Sequence, residues 1–166
     1  MTIRSQLVAC AAITATTALL LGACSKEETA APVTDAAATA ESPAPTAMPR
    51  TASVAGARVF FITPADGDSI SSPVRVEFGI EGMAVVKAGD DAPASGHHHL
   101  LVDTDLPDPG LPIPADANHI HFGDGSTATD LSLEPGEHTL QLLLGDHLHI
   151  PHDPPVASGT ITVTVQ

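Results

Sequence analysis

Residues 74–80 read Val-Arg-Val-Glu-Phe-Gly-Ile, and this strict alternation of apolar and polar side chains decides the fold class. Successive side chains of a β-strand point to opposite faces, so the pattern indicates a strand with one face on a core. Comparable short apolar runs lie on both sides of it, between clusters of Pro, Gly, Asp and Ser, and no long amphipathic helical pattern occurs. The further predicted strands are 58–63, 97–103, 127–133, 138–144 and 160–165, with 83–87 as an optional addition.

About seven short strands within roughly 110 residues predict an all-β domain, an antiparallel β-sandwich of immunoglobulin-like type. The stretch Leu133-Glu-Pro-Gly-Glu-His138 resembles the corner that precedes the sixth strand of many such domains. We therefore expect strands 97–103 and 138–144 to be antiparallel neighbours. His138 stands where these domains often carry a tyrosine, so we expect its ring to bond to nearby backbone rather than to a ligand.

All nine histidines lie between residues 97 and 152, in a chain without Tyr or Trp, and most of them are grouped. A run of three inside a predicted strand differs from a purification tag, which is longer and terminal. Neutral imidazole offers a nitrogen lone pair of intermediate softness, which suits Cu(II), Zn(II), Ni or Fe, so such groups indicate a transition-metal site. The groups are His97-His98-His99, His119-x-His121, His138 and His147-x-His149-x-x-His152.

The predicted strand 97–103 divides its histidines between two faces. His98 shares a face with the apolar residues of the strand, which is the core side. The outer face then carries His97 and His99 together with Asp103. Alternate residues on one face of a strand are about 6.6 Å apart, so two imidazoles can bind one ion.

The expected strand pairing also brings other histidines towards this face. The start of strand 97–103 would lie beside the end of strand 138–144 and the histidines that follow it. The Pro-rich segment 106–114 is long enough to bring the 119–121 pair to the same rim. The predicted ligands for Cu(II) or Zn(II) are therefore His97, His99, His119, His121, His147, His149 and His152.

Three functions compete for these histidines. The leading hypothesis is a non-catalytic metal-binding protein, and the alternative is an immunoglobulin-like interaction module whose histidines are structural or sense pH near about 6.5. The third is a small metallo-hydrolase, but His119-x-His121-x-x-Asp124 departs from binuclear hydrolase spacing and no Ser/His/Asp or cysteine nucleophile pattern occurs. The acid-rich turns 103–108 and 124–126 do not match the EF-hand calcium pattern, so we expect them to be solvated.

Residues 1–23 form a leader for export. Arg4 is its only charged side chain, and the apolar run 7–21 is shorter than the roughly 20 residues that a membrane-spanning helix needs. The run ends in Leu-Gly-Ala-Cys24, which resembles the lipobox of bacterial lipoproteins. That resemblance implies cleavage before Cys24 and a diacylglycerol on its sulfur, and Ser25 rather than Asp implies passage to the outer membrane. An ordinary signal peptide with a chance cysteine is the alternative.

A linker joins the leader to the domain. Residues 24–55 are mostly Ala, Thr, Pro, Glu and Ser, which bury too little apolar surface to fold, so we expect a disordered tether. The predicted organisation is a signal peptide at 1–23, the lipidated linker at 24–55 and a His-rich β-sandwich at 56–166. Because cleavage would remove Cys10 and lipid would occupy Cys24, metal ligands are expected to be imidazole and carboxylate.

The charge balance argues against one class of partner. The chain has 20 acidic and six basic residues and a net charge of −14 with histidine neutral. Such a surface repels nucleic acid and anionic lipid and attracts cations. We therefore expect attachment to a membrane through the lipid at Cys24, in the cell envelope and facing the periplasm, with an envelope protein as a candidate partner.

Several strings within the domain resemble a known family. They are His97-His-His-Leu-Leu-Val-Asp103, His119-Ile-His-Phe-Gly123 and His138-Thr-Leu-Gln-Leu-Leu-Leu-Gly-Asp146, followed by Pro151-His-x-Pro-Pro155. Together they resemble a family of secreted bacterial His-rich domains, the domain of unknown function 4399. The resemblance spans most of residues 57–166 and implies a small exported β domain. It implies no particular activity, so the functional hypotheses rest on the residues themselves.

Overall fold

Nine strands form in residues 47–166, the part of the chain that the computed structural model describes, and this range contains no helix. Consequently, no helix in this range could cross a membrane. The predicted signal peptide, Cys10, Cys24, Ser25 and the linker up to residue 46 lie outside the described residues. The strands are β1 (Arg58–Thr63), β2 (Ser69–Ile70), β3 (Val74–Glu81), β4 (Ala84–Val85), β5 (Ser95–Val102), β6 (His119–His121), β7 (Ala128–Leu131), β8 (Gly136–Gly145) and β9 (Ile161–Val165).

The strands belong to two sheets. One sheet has the order β1-β3-β7, and the other has the order β2-β9-β8-β5-β4 with β6 paired to β5. The β2–β9 and β4–β5 pairs are parallel, and the other pairs are antiparallel. In an immunoglobulin-like sandwich the first, second and fifth main strands share one sheet, and the third, sixth and seventh share the other. The main strands follow that division, which confirms the predicted antiparallel β-sandwich.

The apolar core lies between the sheets, where alternate side chains of β3 and β8 meet. Val74, Val76 and Phe78 are buried while Arg75 is exposed, as the sequence pattern predicts. Burial of a Val, Leu or Phe side chain contributes about 1.5–3 kcal/mol. The core residues contributed by β1, β5, β8 and β9 are Val59, Leu100, Val102, Leu140, Leu142, Leu144 and Val163.

Strand β5 is buried along its whole length. One of its faces contacts the main core, and on the other face Leu101 packs with Ile113 and Leu143 in a second apolar cluster. Loops cover this outer side, and the N–H of Ile113 donates to the carbonyl of His149 at 2.8 Å. The outer face, where the sequence places two of the histidines of β5, is therefore enclosed by loops rather than open to solvent.

The pairing of β5 with β8 confirms the predicted neighbours. The strands are antiparallel, with His97 opposite Gly145 and His99 opposite Leu143. The predicted strand 127–133 is shorter in the structure and forms β7, and only two residues of 83–87 form β4. Strands β2 and β6 were not predicted, because two or three residues leave no alternation to detect.

A segment ahead of the sandwich also docks on the domain. Residues 50–53, which we call the strap, form a parallel bridge between Ala52 and Asp153. The N–H of Asp153 donates to the carbonyl of Thr51 at 2.9 Å, and its carbonyl accepts from the N–H of Ser53 at 2.9 Å. The docked part of the chain thus begins ahead of the predicted boundary between linker and domain.

Candidate metal centre

Four histidine rings converge near the start of β5, and we call these four residues the histidine cluster. His97 and His99 belong to β5, His121 ends β6, and His149 lies in the turn that follows β8. The ring centroid of His97 is 4.8 Å from that of His99, 4.9 Å from that of His121 and 4.8 Å from that of His149. The centroids of His121 and His149 are 4.7 Å apart. The widest separation is 5.9 Å, between the centroids of His99 and His149, so each ring has at least two neighbours within about 5 Å.

Strand geometry brings three of these rings together. His97 and His99 are two residues apart, so both side chains point to the outer face of β5. His121 is directly opposite His99 in the antiparallel pair of β5 and β6. Opposed residues of such a pair place their side chains side by side, and the two rings stack with centroids 5.0 Å apart. A strand of only three residues therefore supplies the third ring.

A tight turn supplies the fourth ring. His149 has a left-handed backbone with φ of 65°, and its N–H donates to the carbonyl of Asp146 at 2.9 Å. Oδ1 of Asp146 accepts the N–H groups of Leu148 and Ile150, each at 2.9 Å. Burial tends to raise the pKa of the Asp146 carboxyl, but hydrogen bonds from Thr51 and these amides outweigh it and hold the pKa below its usual value. Asp146 is therefore a buried anion that organises the turn.

The nitrogen spacings suit a metal ion. One ring nitrogen from each of His97, His99 and His121 lies within 4.8 Å of the others, so these three residues could hold an ion. Nε2 of His149 lies 3.2 Å from Nε2 of His121. In a tetrahedral site with metal–nitrogen bonds of about 2.0–2.1 Å, the ligand nitrogens are about 3.3 Å apart. The contact between His121 and His149 has that separation, which also allows an N–H···N hydrogen bond between a donating and an accepting ring.

Two cluster nitrogens are buried without a partner. His97 and His99 are each 1% exposed, and within residues 47–166 His97 Nε2 and His99 Nδ1 have no hydrogen-bond partner. Buried polar atoms are nearly always bonded, and an unpaired one costs about 1–3 kcal/mol. Because His121 is exposed and His149 half-buried, the cluster has an enclosed side and a rim that solvent reaches.

The buried rings are in the form that binds metal, which is neutral imidazole. Burial, followed by repulsion from the other cluster rings, lowers the pKa of His97 to about 4 and that of His99 to about 2. Burial also lowers the pKa of His121, and the neighbouring His149 adds to that effect. Protons therefore compete weakly with a metal ion for these nitrogens at neutral pH.

Two glycines make room for the rings. A Cβ at Gly145 would lie 2.9 Å from Cε1 of His99, and a Cβ at Gly123 would lie 2.9 Å from Nε2 of His121. Real Cβ atoms do not approach neighbours this closely, so any larger residue must displace a ring. The sequence alone did not indicate a role for either glycine. The only signal was their position, since Gly123 soon follows a pair of histidines and Gly145 follows a run of leucines. Asp146 and the strap were missed as well, since nothing in their local sequence indicates a role in the site.

His119 and His147 lie outside the cluster, each against a carboxylate. His119 Nδ1 is 2.8 Å from Asp116 Oδ1, although His119 shares a face of β6 with His121. His147 Nδ1 is 3.3 Å from Asp91 Oδ1. His147 was predicted as a ligand because it follows strand 138–144, but β8 ends before it and a turn reverses the chain.

His152 and His98 lie in the interior. The ring nitrogens of His152, a predicted ligand, face the carbonyls of Ser95 at 3.1 Å and Leu144 at 3.4 Å. His98 is fully buried and its ring meets that of Phe78 edge-on, with centroids 4.7 Å apart. The predicted core position of His98 is therefore confirmed, while His152 bonds to backbone and stands apart from the cluster.

His138 bonds to nearby backbone, as the corner motif predicts. Its Nε2 lies 2.9 Å from the carbonyl oxygen of Glu134 and its Nδ1 lies 2.7 Å from Oδ2 of Asp103. Both contacts favour the protonated ring, and they raise the pKa of His138, the Asp103 contact most strongly. Asp103, which the sequence places on the outer face beside the cluster histidines of β5, supports this corner instead.

The sequence that forms most of these strands and the histidine cluster matches one family model. The model, described as a domain of unknown function, DUF4399, matches residues 76–166. The chain belongs to the DUF4399 family. The matched part contains the whole histidine cluster and both glycines that border it, whereas β1 and the strap precede it in the chain. Neither the curated proteins nor the solved structures contain a match to this DUF4399 chain.

Proposed function

We propose that this chain is an envelope lipoprotein that binds one transition metal ion, Cu(II) or Zn(II), without catalysing a reaction. The observation that carries the proposal is the convergence of four imidazoles, two of which have buried nitrogens without a partner. The proposed ligands are His97, His99 and His121, whose ring nitrogens lie within 4.8 Å of one another, and His149 as the fourth, whose Nε2 is 3.2 Å from Nε2 of His121. A bound ion would supply the missing partner for these rings.

The donor set favours a particular class of ion. Imidazole nitrogens suit Zn(II), Cu(II) and Ni(II), whereas Ca²⁺ and Mg²⁺ prefer oxygen ligands. The described residues contain no cysteine, so thiolate ligands do not enter the proposal. The buried carboxylate of Asp146 is close enough to raise the pKa of His97 against the lowering effect of burial. The same negative charge would offset part of the charge of a divalent cation.

The number of ligands supports binding rather than catalysis. Structural zinc sites are closed by four protein ligands, while catalytic sites keep one position for water or substrate. Four histidines would fill a tetrahedral shell and leave no such position. We therefore propose a role in holding or carrying the ion.

The proposed location rests on the leader. Leu-Gly-Ala-Cys24 resembles the lipobox, so lipid on Cys24 would attach the chain to a membrane, and we propose the outer membrane with the domain in the periplasm. The net charge of −14 argues against nucleic acid and against attachment through a basic patch, and leaves an envelope protein as a candidate partner. Mass spectrometry of the mature chain should show diacylglycerol on Cys24. A mature chain that begins at Cys24 without this added mass would exclude the lipid anchor.

Calorimetric titration tests the metal site. The full chain with Cys10→Ser and Cys24→Ser has no thiolate, so ion uptake in this background reports on the histidines. We expect one Cu(II) or Zn(II) ion per chain, bound at micromolar concentration or below. The double variant His121→Ala and His149→Ala removes two ligands at the rim, outside the core. We expect it to weaken binding more than about 100-fold, which is the upper limit for substituting residues that contact a ligand without binding the metal.

His138→Gln is the matched control for these variants. It removes one imidazole that bonds to the corner and lies outside the cluster, so ion affinity should be unchanged. Absence of saturable uptake by the thiolate-free chain would overturn the proposal. Equal uptake by the variant lacking His121 and His149 would overturn the ligand assignment, and the histidines would then be better explained by an interaction module.

A further inference from the structure

The strap contacts the turn that carries His149. Oγ1 of Thr51 donates to Oδ2 of Asp146 at 2.7 Å. The other carboxylate oxygen of Asp146 accepts the N–H groups of Leu148 and Ile150, each at 2.9 Å. Because His149 lies between these two amides in the chain, the position of its ring depends on a carboxylate that the strap helps to hold.

Arg50 fastens the strap to the far end of the same loop. Its Nε donates to the carbonyl of Pro151 at 3.1 Å, and its Nη2 donates to the carbonyl of His152. Its Nη1 pairs with the carboxylate of Asp153 at 3.1 Å. The side chain is only 20% exposed, so the guanidinium group is largely enclosed by the loop. A planar group with several fixed donors suits such a set of oxygen acceptors.

The backbone of His149 needs support from its surroundings. A residue other than glycine in the left-handed region carries a strain of about 1–3 kcal/mol, which persists only where neighbouring contacts hold it. On one side the carbonyl of His149 accepts from the N–H of Ile113 at 2.8 Å. On the other side the support comes through Asp146 from Thr51. The strap therefore supports, through Asp146, the turn that carries the fourth ring of the cluster.

We propose that Arg50, Thr51 and Asp146 are positioning residues for His149, and that docking of the strap sets how tightly the histidine cluster holds its ion. This inference rests on the proposed metal binding. Release of the strap would free the turn, while the rings on β5 and β6 stay in place through their strand pairing. The cluster would then hold an ion with four ligands when the strap is docked and with three when it is not.

The test compares variants at Thr51 in the full chain with Cys10→Ser and Cys24→Ser. Thr51→Val keeps the shape of the side chain but removes the hydroxyl donor, and we expect the Kd for Zn(II) to rise about tenfold. Thr51→Ser keeps the donor and should restore the affinity of the parent chain. Thr164→Val is the control, since Thr164 is an exposed threonine of β9, and it should leave the Kd unchanged.

Hydrogen exchange of the metal-free chain gives a second measurement. In Thr51→Val the amides of Leu148 and Ile150 should exchange faster, while those of β5 keep their protection. Unchanged Kd and unchanged exchange would overturn the positioning role, and so would an equal loss of protection throughout β5, which indicates general destabilisation. If the parent chain takes up no Zn(II), the proposed function itself fails, whereas exchange at Leu148 and Ile150 still reports whether Thr51 holds the turn.

Discussion

At His98 a polar ring lies in an apolar core, and neither of its nitrogens has a hydrogen-bond partner among the described residues. The side chain is fully buried, and burial lowers its pKa to about 4, so the ring is neutral at neutral pH. Replacement of an unpaired buried polar group by an apolar one of similar size removes the cost of its lost hydration. We expect His98→Leu to raise the free energy of unfolding of the metal-free chain by about 1 kcal/mol, as measured by urea denaturation.

His98→Ala is the comparison for that experiment. It removes the same nitrogens but leaves a cavity against Phe78, and large-to-small changes in a core cost about 2–5 kcal/mol. The two variants should therefore move stability in opposite directions. A loss of stability in His98→Leu as large as that in His98→Ala would show that the imidazole contributes more than it costs.

Gly123 allows a second experiment on a single residue. A Cβ at this position would lie 2.9 Å from Nε2 of His121, whereas a Cβ at Gly159 would meet nothing within 4 Å. Neither glycine has a left-handed backbone, so the two differ mainly in the space around them. We expect Gly123→Ala to displace the exposed ring of His121 and to raise the Kd for Zn(II) about tenfold, with little change in the thermal midpoint.

Gly159→Ala is the matched control and should change neither quantity. Calorimetry gives the Kd and thermal denaturation gives the midpoint. If Gly123→Ala binds Zn(II) as well as the parent chain does, the ring of His121 either adapts without cost or lies outside the coordination shell.

Among the elements, the corner before β8 is tied to the end of β5 by the contact between His138 and Asp103. Because the pKa of His138 is raised in the folded chain, this contact stabilises the fold fully below the unfolded pKa of about 6.5. The contribution is lost as pH rises through the folded pKa. We expect the stability difference between the parent chain and His138→Gln to be largest near about pH 5.5 and to shrink towards about pH 8.5.

Denaturant titrations of both proteins at several pH values measure this difference. The subtraction removes the contribution of the cluster histidines, whose lowered pKa values change stability in the opposite direction. Asp103 remains charged throughout this range, because burial raises the pKa of its carboxyl but the hydrogen bonds from His138 and from the N–H of Thr139 together outweigh burial and lower it. A difference that grows with rising pH would contradict the assignment of His138 as the protonated partner.

The elements differ in how far the sequence could predict them. The alternating pattern of β3 predicted its buried and exposed faces, and the immunoglobulin-like corner predicted the pairing of β5 with β8. The two-residue period of a strand placed His97 and His99 on one face. Strand β6 is too short to show a period, so the position of His121 follows from pairing that only the folded chain reveals. His149 was predicted as a ligand because it follows strand 138–144, but a turn held by the nearby carboxylate of Asp146 brings it to the cluster.

For the whole molecule, ion binding and folding should be linked. An ion that binds only the folded chain stabilises it by about 2.7 kcal/mol when its free concentration is 100 times the Kd. We therefore expect Zn(II) to raise the thermal midpoint by several degrees in circular dichroism, and a chelator to reverse the shift. The variant lacking His121 and His149 should show no shift, and an equal shift there would indicate binding at other surface groups.

The enclosure of β5 also affects how the imidazoles respond to chemical labelling. A histidine-acylating reagent in solution meets the exposed ring of His121 at once, whereas His97, His98 and His99 become accessible only when the sandwich opens. Fast and slow modification would therefore separate surface reactivity from the frequency of opening. Mass spectrometry of the labelled peptides would thus record conformational opening in a chain that has neither Trp nor Tyr to report it by fluorescence.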